Sequence, residues 1–292
     1  MKLSEFYKQV VSFGIEHDPR KRRAIKSYED TAILYGNPDT EISRVMIGID
    51  IDVAELLLAD QIRKEEGLDL VISHHPEGVA YACLPQVMRL QIDILVKAGI
   101  SRRVAEQLLQ ERMREVERKV LPANHMRAVD AARLLDLPFM CVHTPADNHV
   151  SYFIQKLIAT KRPHTIQDLI DILREIPEDK EAERNGSGPR IFLGSPHRPV
   201  GKVFVEMTGG TEGSREAYDK LNKRGIRTIV AMHLSEEHFK KVNDVSLNVI
   251  IAGHISSDTL GLNLLLDRIE KKNSQRFTVY NCSGFRRIRR ID

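Results

Sequence analysis

The stretch RVMIGIDIDVAELLLADQIRKEEGLDLVISHHP at residues 44–76 decides the fold. It opens with an apolar run short enough for a buried strand. A segment of helical period follows and ends at Gly67, and a second apolar run occupies 69–73. A strand, a helix and a strand in this order form a βαβ unit, which implies a parallel sheet. His74 and His75 therefore fall at the carboxyl end of a strand, where open α/β sheets place their reactive loops.

The same alternation continues along the chain. The segment 85–120 is helical with a break near 99–101, and PFMCVHTPAD at 138–147 contains another strand. Further strands are predicted at 200–207, 226–232 and 247–252, with helices at 214–224, 235–243 and 256–272. The pattern predicts an α/β protein with mostly parallel sheets, divided into an N-terminal domain at 1–150 and a C-terminal region at 151–292.

Two consecutive histidines at a strand end need an explanation, because imidazole is not a usual core side chain. Neighbouring side chains of an extended chain point to opposite sides, so His74 and His75 would chelate a single ion poorly. Two ions a few ångströms apart could each take one imidazole. Taken alone, the pair is more typical of surface or loop histidines without a function.

Two other segments carry side chains of the types that bind metal ions. In GHISSD, His254 and Asp258 stand four residues apart just after a predicted strand, so a helix beginning there would place both on one face. Asp258 could instead cap that helix. Asp147, in HTPADN, is a second carboxylate, although it could be an ordinary turn residue. His143 is expected to pack or donate a hydrogen bond beside the site.

All three segments lie immediately beyond the carboxyl ends of predicted strands, so their side chains are expected to meet. Three imidazoles and two carboxylates suit Zn²⁺, Fe²⁺, Mn²⁺, Ni²⁺ or Co²⁺. The sequence therefore predicts a site for divalent metal ions, with His74, His75, Asp147, His254 and Asp258 as ligands.

Composition narrows the class of protein. The 292 residues include 44 basic and 41 acidic side chains, a net charge of +3 that gives little reason to expect nucleic acid. The basic tail FRRIRRID at 285–292 could contact nucleic acid or be a solvated charge run.

Cys83, Cys141 and Cys282 form no CxxC pair, which argues against disulfides, and no apolar leader or membrane span is visible. We expect a cytoplasmic protein without a membrane partner.

The chain resembles a known family in the order of four short motifs. The motifs ISHHPEG, VHTPAD, EMTGGTEGS and AGHISSD occur in the order found in the Ngg-interacting-factor-three family, also labelled GTP cyclohydrolase I type 2 homologues. The resemblance runs from about residue 31 to 272. It implies two α/β domains with a dinuclear metal site in the cleft between them, each candidate ligand matching a ligand position, and a carboxylate bridging the ions. It also implies ring-shaped homo-oligomers, often hexamers.

The chain departs from the family pattern at four places. Glu77 and Gly78 follow HHP where the family tends to have apolar residues. Asp258 stands where the family usually has Glu, a side chain one methylene longer. The charged helix at 101–120 looks like an insertion. AMHLSEEH at 231–238 replaces a TGD-like turn and its histidines, which leaves the roles of His233 and His238 open.

These observations lead to a functional hypothesis with one main alternative. The hypothesis is a metal-dependent hydrolase, in which water activated by two divalent ions attacks a small substrate, with nucleotides among the candidates. The alternative is a non-enzymatic metal-binding adaptor or regulator.

Glu77 could act as a general base or be an exposed turn residue. The turn TGGTEGS at 208–214 could hold a phosphate or be only a tight turn.

Overall fold

The computed structural model describes residues 1–20 and 25–290. They form two compact units, each assembled from separate parts of the chain. The first unit comprises Met1–Val87, Glu115–His149 and Asp258–Asp292, and the second comprises Met88–Arg114 and Val150–Ser257.

The helices and strands follow one another as α1 (Leu3–Glu16), β1 (Ala32–Tyr35), β2 (Arg44–Gly48), α2 (Val53–Glu66), β3 (Leu70–Ser73), α3 (Gly78–Ala82), α4 (Leu84–Val87), α5 (Leu90–Lys97), α6 (Arg102–Val120), α7 (Arg127–Leu135), β4 (Phe139–Cys141), α8 (Thr144–Lys161), α9 (Ile166–Arg174), α10 (Pro177–Arg184), β5 (Arg190–Leu193), β6 (Lys202–Glu206), α11 (Ala217–Lys223), β7 (Ile226–Ala231), α12 (Glu236–Asp244), β8 (Asn248–Ile251), α13 (His254–Asn273) and β9 (Thr278–Asn281).

The sheet of the first unit has the strand order β1-β4-β3-β2-β9. Strand β2 pairs in parallel with both β3 and β9, β3 pairs in parallel with β4, and only β1 runs antiparallel, against β4. The carboxyl ends of β2, β3 and β4 therefore meet at one edge of the sheet.

The predicted βαβ unit is confirmed as β2, α2 and β3. Helix α2 begins at a capping box, in which the carboxylate of Asp52 accepts from the backbone of the first turn and Glu55 accepts from the N–H of Asp52. It ends at Gly67, whose φ of 78° is accessible mainly to glycine.

The core of the first unit joins distant parts of the chain. Leu262 and Leu266 of α13 pack with Phe6 of α1 and with the strand residues Ile47 and Ile72. Helix α13 from Asp258 onward belongs to this core, and β9 belongs to this sheet. The first compact unit therefore includes the C-terminal segment, unlike the domain at 1–150 expected from the sequence.

The second unit contains a four-stranded sheet in the order β5-β8-β7-β6. Strands β6, β7 and β8 are parallel, and β5 forms an antiparallel edge. The predicted fold class, an α/β protein with mostly parallel sheets, is therefore confirmed, and each sheet is mixed because one edge strand is antiparallel.

The strands that sequence reasoning missed are β1, β5 and β9. Each has only intermediate or exposed positions, so none shows the continuous apolar run that marks a central strand. Within residues 1–20 and 25–290, no helix combines the length and the apolar character needed to cross a membrane.

Candidate metal centre

His74 and His75 directly follow β3, and their backbone continues the pairing with the end of β2. The amide of His74 donates to Gly48 O and that of His75 donates to Ile49 O, both at 2.9 Å. Strand β3 ends at Ser73, and the backbone bends at both histidines while it keeps these two hydrogen bonds. The two ring centroids are 5.3 Å apart. Backbone pairing therefore fixes both imidazoles at the carboxyl edge of the first sheet.

Asp147 lies in the first turn of α8, which begins directly after β4. Because β4 is the parallel neighbour of β3, this turn comes close to the histidine pair. Asp147 Oδ1 lies 3.4 Å from His74 Nε2, and Oδ2 lies 3.8 Å from His143 Nε2. The side chain is buried, so it is not an ordinary exposed turn residue.

Asp258 lies inside α13, one turn after the helix begins, and is 1% exposed. Its position excludes the capping role, which belongs to a residue just before a helix. Oδ1 is 3.4 Å from His74 Nε2 and Oδ2 is 3.5 Å from His75 Nε2. One carboxylate thus faces both imidazoles, the arrangement that a bridging ligand requires.

Three imidazoles are oriented through their Nδ1 atoms. Carbonyl and carboxylate oxygens accept hydrogen bonds, so each Nδ1 is assigned the proton and each Nε2 keeps a lone pair for a metal ion. The acceptors are Val142 O for His74 at 3.0 Å, Asp50 Oδ1 for His75 at 2.6 Å and Asp30 Oδ2 for His143 at 2.8 Å.

The donor atoms form two groups that could each hold a metal ion. One consists of His74, His143 and Asp147, the other of His74, His75 and Asp258, with the ligand atoms of each group within 4.8 Å of one another. Two atoms bound tetrahedrally to one ion at about 2.1 Å lie about 3.4 Å apart, the separation seen around His74 Nε2. Since that nitrogen has one lone pair, it can serve only one of two ions.

Two buried atoms of this site favour the binding of a cation. His74 Nε2 and Asp147 Oδ1 face each other at 3.4 Å, yet neither makes a hydrogen bond. A buried polar atom without a partner is costly, and a divalent ion would satisfy both atoms. The residues therefore fit a dinuclear metal site.

The pKa values of His74 and His75 also indicate that this centre favours positive charge. Burial alone would lower the pKa of His74, but Asp258 and Asp147 outweigh it and raise the pKa to about 10. For His75, burial is outweighed by Asp258 and Asp50, and the pKa rises to about 9. In the absence of a metal ion, protons on the imidazoles supply the charge that the carboxylates require.

Solvent reaches the centre beside His75. Its side chain is 24% exposed, against 1% for His74. Asp50, 67% exposed, contacts it there. Nearby, burial together with the negative charges of Asp52 and Asp50 raises the pKa of Glu77 to about 7.

His254 belongs to neither group of candidate ligands. It is the first residue of α13 and is counted in the second unit. Its ring centroid lies 4.8 Å from that of His233, whose Nδ1 is 3.6 Å from Glu212 Oε1. The assignment of His254 as a metal ligand stays a prediction.

His238 and the glycine-rich turn have structural partners in the second unit. His238 Nε2 donates to Gly213 O at 2.9 Å, and the Gly213 amide donates to Glu206 Oε1 at 3.3 Å. A carboxylate already occupies the amide that a phosphate would use, and α11 begins only at Ala217. These contacts favour a tight turn over a phosphate site.

The basic tail folds back on α13. The Arg287 side chain is 3% exposed and lies 2.6 Å from Asp267 and 2.8 Å from Glu270, which Arg289 also contacts. The last two residues, 291–292, lie outside the described residues. These arginines are neutralised within the first unit, so the tail is not simply a solvated charge run.

Sequence reasoning missed three parts of this centre. His143 was expected beside the ligands, but its Nε2 is directed at Asp147, so it is itself a candidate ligand. Asp50 carried a usable signal, because it follows β2 at the edge that holds His74. Asp30 carried none, since it precedes a strand with no clear pattern.

Comparisons with known proteins identify the fold. The chain aligns with the NIF3 superfamily protein from Sphaerobacter thermophilus with a TM-score of 0.79 and 29% identity, covering 94% of this chain and 97% of that one. HcgD from Methanocaldococcus jannaschii gives a TM-score of 0.55 at 15% identity, with 96% and 97% covered. TTHA1606 from Thermus thermophilus gives 0.52 at 14%, also with 96% and 97% covered. The last two likenesses concern the fold alone.

No protein-family model matches the chain, and no curated protein does. The fold and the two ligand groups define an α/β protein with a candidate dinuclear metal centre. Within that class, the chain is a structural match to the NIF3 superfamily, which confirms the resemblance to the Ngg-interacting-factor-three family.

Proposed function

We propose that this protein binds two divalent metal ions and uses them as a hydrolase of a small substrate. The observation that carries the proposal is the Asp258 carboxylate, which presents one oxygen to His74 and the other to His75. His143 and Asp147 would complete the position beside His74. His75 and Asp258 would hold the second position.

When bound, a pair of divalent ions supplies Lewis acidity and a hydroxide nucleophile near neutral pH. The protein's own contribution is orientation, because Val142 O, Asp50 and Asp30 hold the three imidazoles with Nε2 directed inward. Glu77, with its pKa near 7, is suited to accept a proton beside His75.

The exposure of His75 supports an enzyme over an adaptor. A structural metal site is closed by protein ligands, whereas a catalytic site keeps a position open to water and substrate. In the adaptor alternative, both metal positions would be closed in solution. A homo-oligomer, hexameric by resemblance, stays a prediction, as does the cytoplasmic location.

An activity screen tests the proposal. The protein, stripped with a chelator and reloaded separately with each of the five candidate metals, is assayed against esters, amides, cyclic amides, phosphoesters and nucleotides. We expect hydrolysis that needs metal and is lost in His75→Ala. If metal binds fully and no member of the panel is hydrolysed under any loading, the adaptor alternative is favoured.

A further inference from the structure

The second unit contains a cleft lined by residues of α5, β6 and α11, beside the carboxyl end of β6. Its apolar walls are formed by Ile94 and Leu95 of α5, Phe204 of β6, and Ala217 and Leu221 of α11. The cleft has about 380 Å³ of space between atoms, part of it open to solvent. Open α/β sheets bind ligands outside the carboxyl ends of their strands, so the cleft occupies a position at which a ligand site is expected.

The cleft is also lined by a carboxylate that two donors hold in place. Glu206 is the last residue of β6, and its side chain lies on the same face of the strand as Phe204. Oε2 accepts from the Tyr218 hydroxyl at 3.1 Å, and Oε1 accepts from the Gly213 amide at 3.3 Å. Burial and the charge of Glu206 raise the pKa of Tyr218 well above its usual value, so the phenol remains a donor. These bonds use about half of the acceptor positions of a carboxylate.

A second acceptor oxygen lies near Glu206. Gln91 is 6% exposed, and its Nε2 donates to Gly209 O at 2.8 Å and to Thr211 O at 2.6 Å. Within the described part of the chain, no group donates a hydrogen bond to Gln91 Oε1. A Cβ at Gly213 would lie 2.7 Å from Gln91 Oε1 and 3.2 Å from Glu206 Oε1, so both oxygens approach the same glycine. One donor group could therefore reach both.

Among the residues that the structure describes, no lysine, arginine or histidine forms an ion pair with Glu206. Arg112, whose charge also acts on Tyr218, is directed at Glu212, and its Nε donates to Glu212 O at 3.1 Å. A carboxylate in a partly buried, apolar setting attracts a cation and repels an anion. The cleft thus combines apolar walls with acceptors that suit a positively charged donor.

From this arrangement we propose that the cleft binds a small primary amine. The ammonium group donates to Glu206 and Gln91, and the apolar part of the ligand packs against Phe204 and Leu221. Gly213 leaves open the space beside the two oxygens, which gives the glycine-rich turn a role other than phosphate binding. The site is separate from the candidate metal ligands, and the proposal does not rest on the hydrolase function.

Four small probes test the proposal. Isobutylamine, isobutanol and isovalerate share an isobutyl group and carry a cationic, a neutral and an anionic group at neutral pH, whereas methylamine keeps the charge without the apolar part. Dissociation constants are measured on the full chain as purified, by proton–nitrogen correlation NMR of the amides of Glu206, Gly213 and Ala217. The titrations are repeated after chelation, which should not change them.

Charge and apolar area should both contribute to binding. One unit charge at a partly exposed site changes affinity by roughly tenfold, and burial of each methylene group contributes a factor of about four. We expect isobutylamine to bind about tenfold more tightly than isobutanol and at least about tenfold more tightly than methylamine. Isovalerate should leave the amides of the cleft unchanged.

The variant Glu206→Gln removes the charge and keeps the size of the side chain. We expect it to bind isobutylamine about tenfold less tightly and isobutanol almost as well as the wild type. The matched control is Glu181→Gln in the same unit, which removes a carboxylate that pairs with Arg184 on α10 and should leave both affinities unchanged. Circular dichroism shows whether both variants are folded, and the four probes on the wild type decide the matter if Glu206→Gln is not.

Three results would overturn the proposal. The first is that isobutylamine does not shift the amides of the cleft, and the second is that isovalerate binds there as tightly as isobutylamine. The third is full affinity for isobutylamine in a folded Glu206→Gln variant. Equal binding of methylamine and isobutylamine would also contradict it, because it would indicate an ion pair with Glu206 outside the apolar cleft.

Discussion

Asp258 Oδ2 lies 3.5 Å from His75 Nε2, with the carboxylate almost completely buried and the imidazole partly open to solvent. The other oxygen, Oδ1, faces His74 at 3.4 Å. The shorter aspartate, standing where the family usually has glutamate, thus still reaches both histidines. This geometry makes Asp258 the residue on which a two-ion centre depends.

Replacing Asp258 with Asn should lower metal affinity by at least about 100-fold, because the centre loses a negative charge that faces both imidazoles. Affinity is measured by competition with a chelating dye. Asp39→Asn serves as the control, because it removes an exposed carboxylate that pairs with Lys2. Unchanged affinity in Asp258→Asn would remove this residue from the centre.

Asp30 and Asp50, which accept hydrogen bonds from His143 and His75, should contribute differently to metal affinity. Asp30 is fully buried against His143, whereas Asp50 is largely exposed beside His75. Asp30→Asn should weaken metal binding by about 10–100-fold. Asp50→Asn should have a smaller effect that fades further as salt is added. Equal effects of the two variants at every salt concentration would contradict the burial argument.

Stability of the metal-free protein should fall as pH rises. His74 and His75 have pKa values of about 10 and 9 when folded, against an ordinary value of 6.5. A raised pKa contributes stability that is complete below about pH 6.5 and is lost as pH rises through the folded values. We expect the melting temperature of the chelated protein to fall between pH 7 and 10, and Asp258→Asn to flatten the decline.

Metal affinity should show the opposite dependence, because metal ions and protons compete for the same Nε2 atoms. It should increase with pH over the range in which the two imidazoles release their protons. Calorimetry in buffers of different ionisation enthalpy measures the proton release. No release at pH 7 would contradict the protonated state assigned to the metal-free imidazoles.

The C-terminal tail should contribute to folding. Arg287→Ala leaves the buried carboxylates of Asp267 and Glu270 with less compensation, a loss that typically costs about 3–5 kcal/mol of unfolding free energy. Arg286→Ala, in an exposed position, serves as the control. Urea unfolding that is identical for both variants would show that the tail pairs are not maintained in solution.

The sequence was sufficient for the central strands and for four residues that the structure brings together as candidate ligands, because buried parallel strands are continuous apolar runs and their ends are recognisable. The exposed or half-buried strands β1, β5 and β9 lack such runs and depend on pairing with distant segments. Asp30 reaches His143 across more than 100 residues of chain, a contact that no local pattern encodes. The basic tail was misread for the same reason, since its acidic partners lie on α13.

Metal content per chain tests the central claim most directly. Wild type and the double variant His74→Ala, His75→Ala are loaded, dialysed and analysed by mass spectrometry, with circular dichroism to confirm that both are folded. We predict two divalent ions per chain in the wild type and the loss of at least one in the variant, because each substitution removes a nitrogen donor. A wild type without bound metal, or a folded variant with unchanged metal content, would contradict the claim.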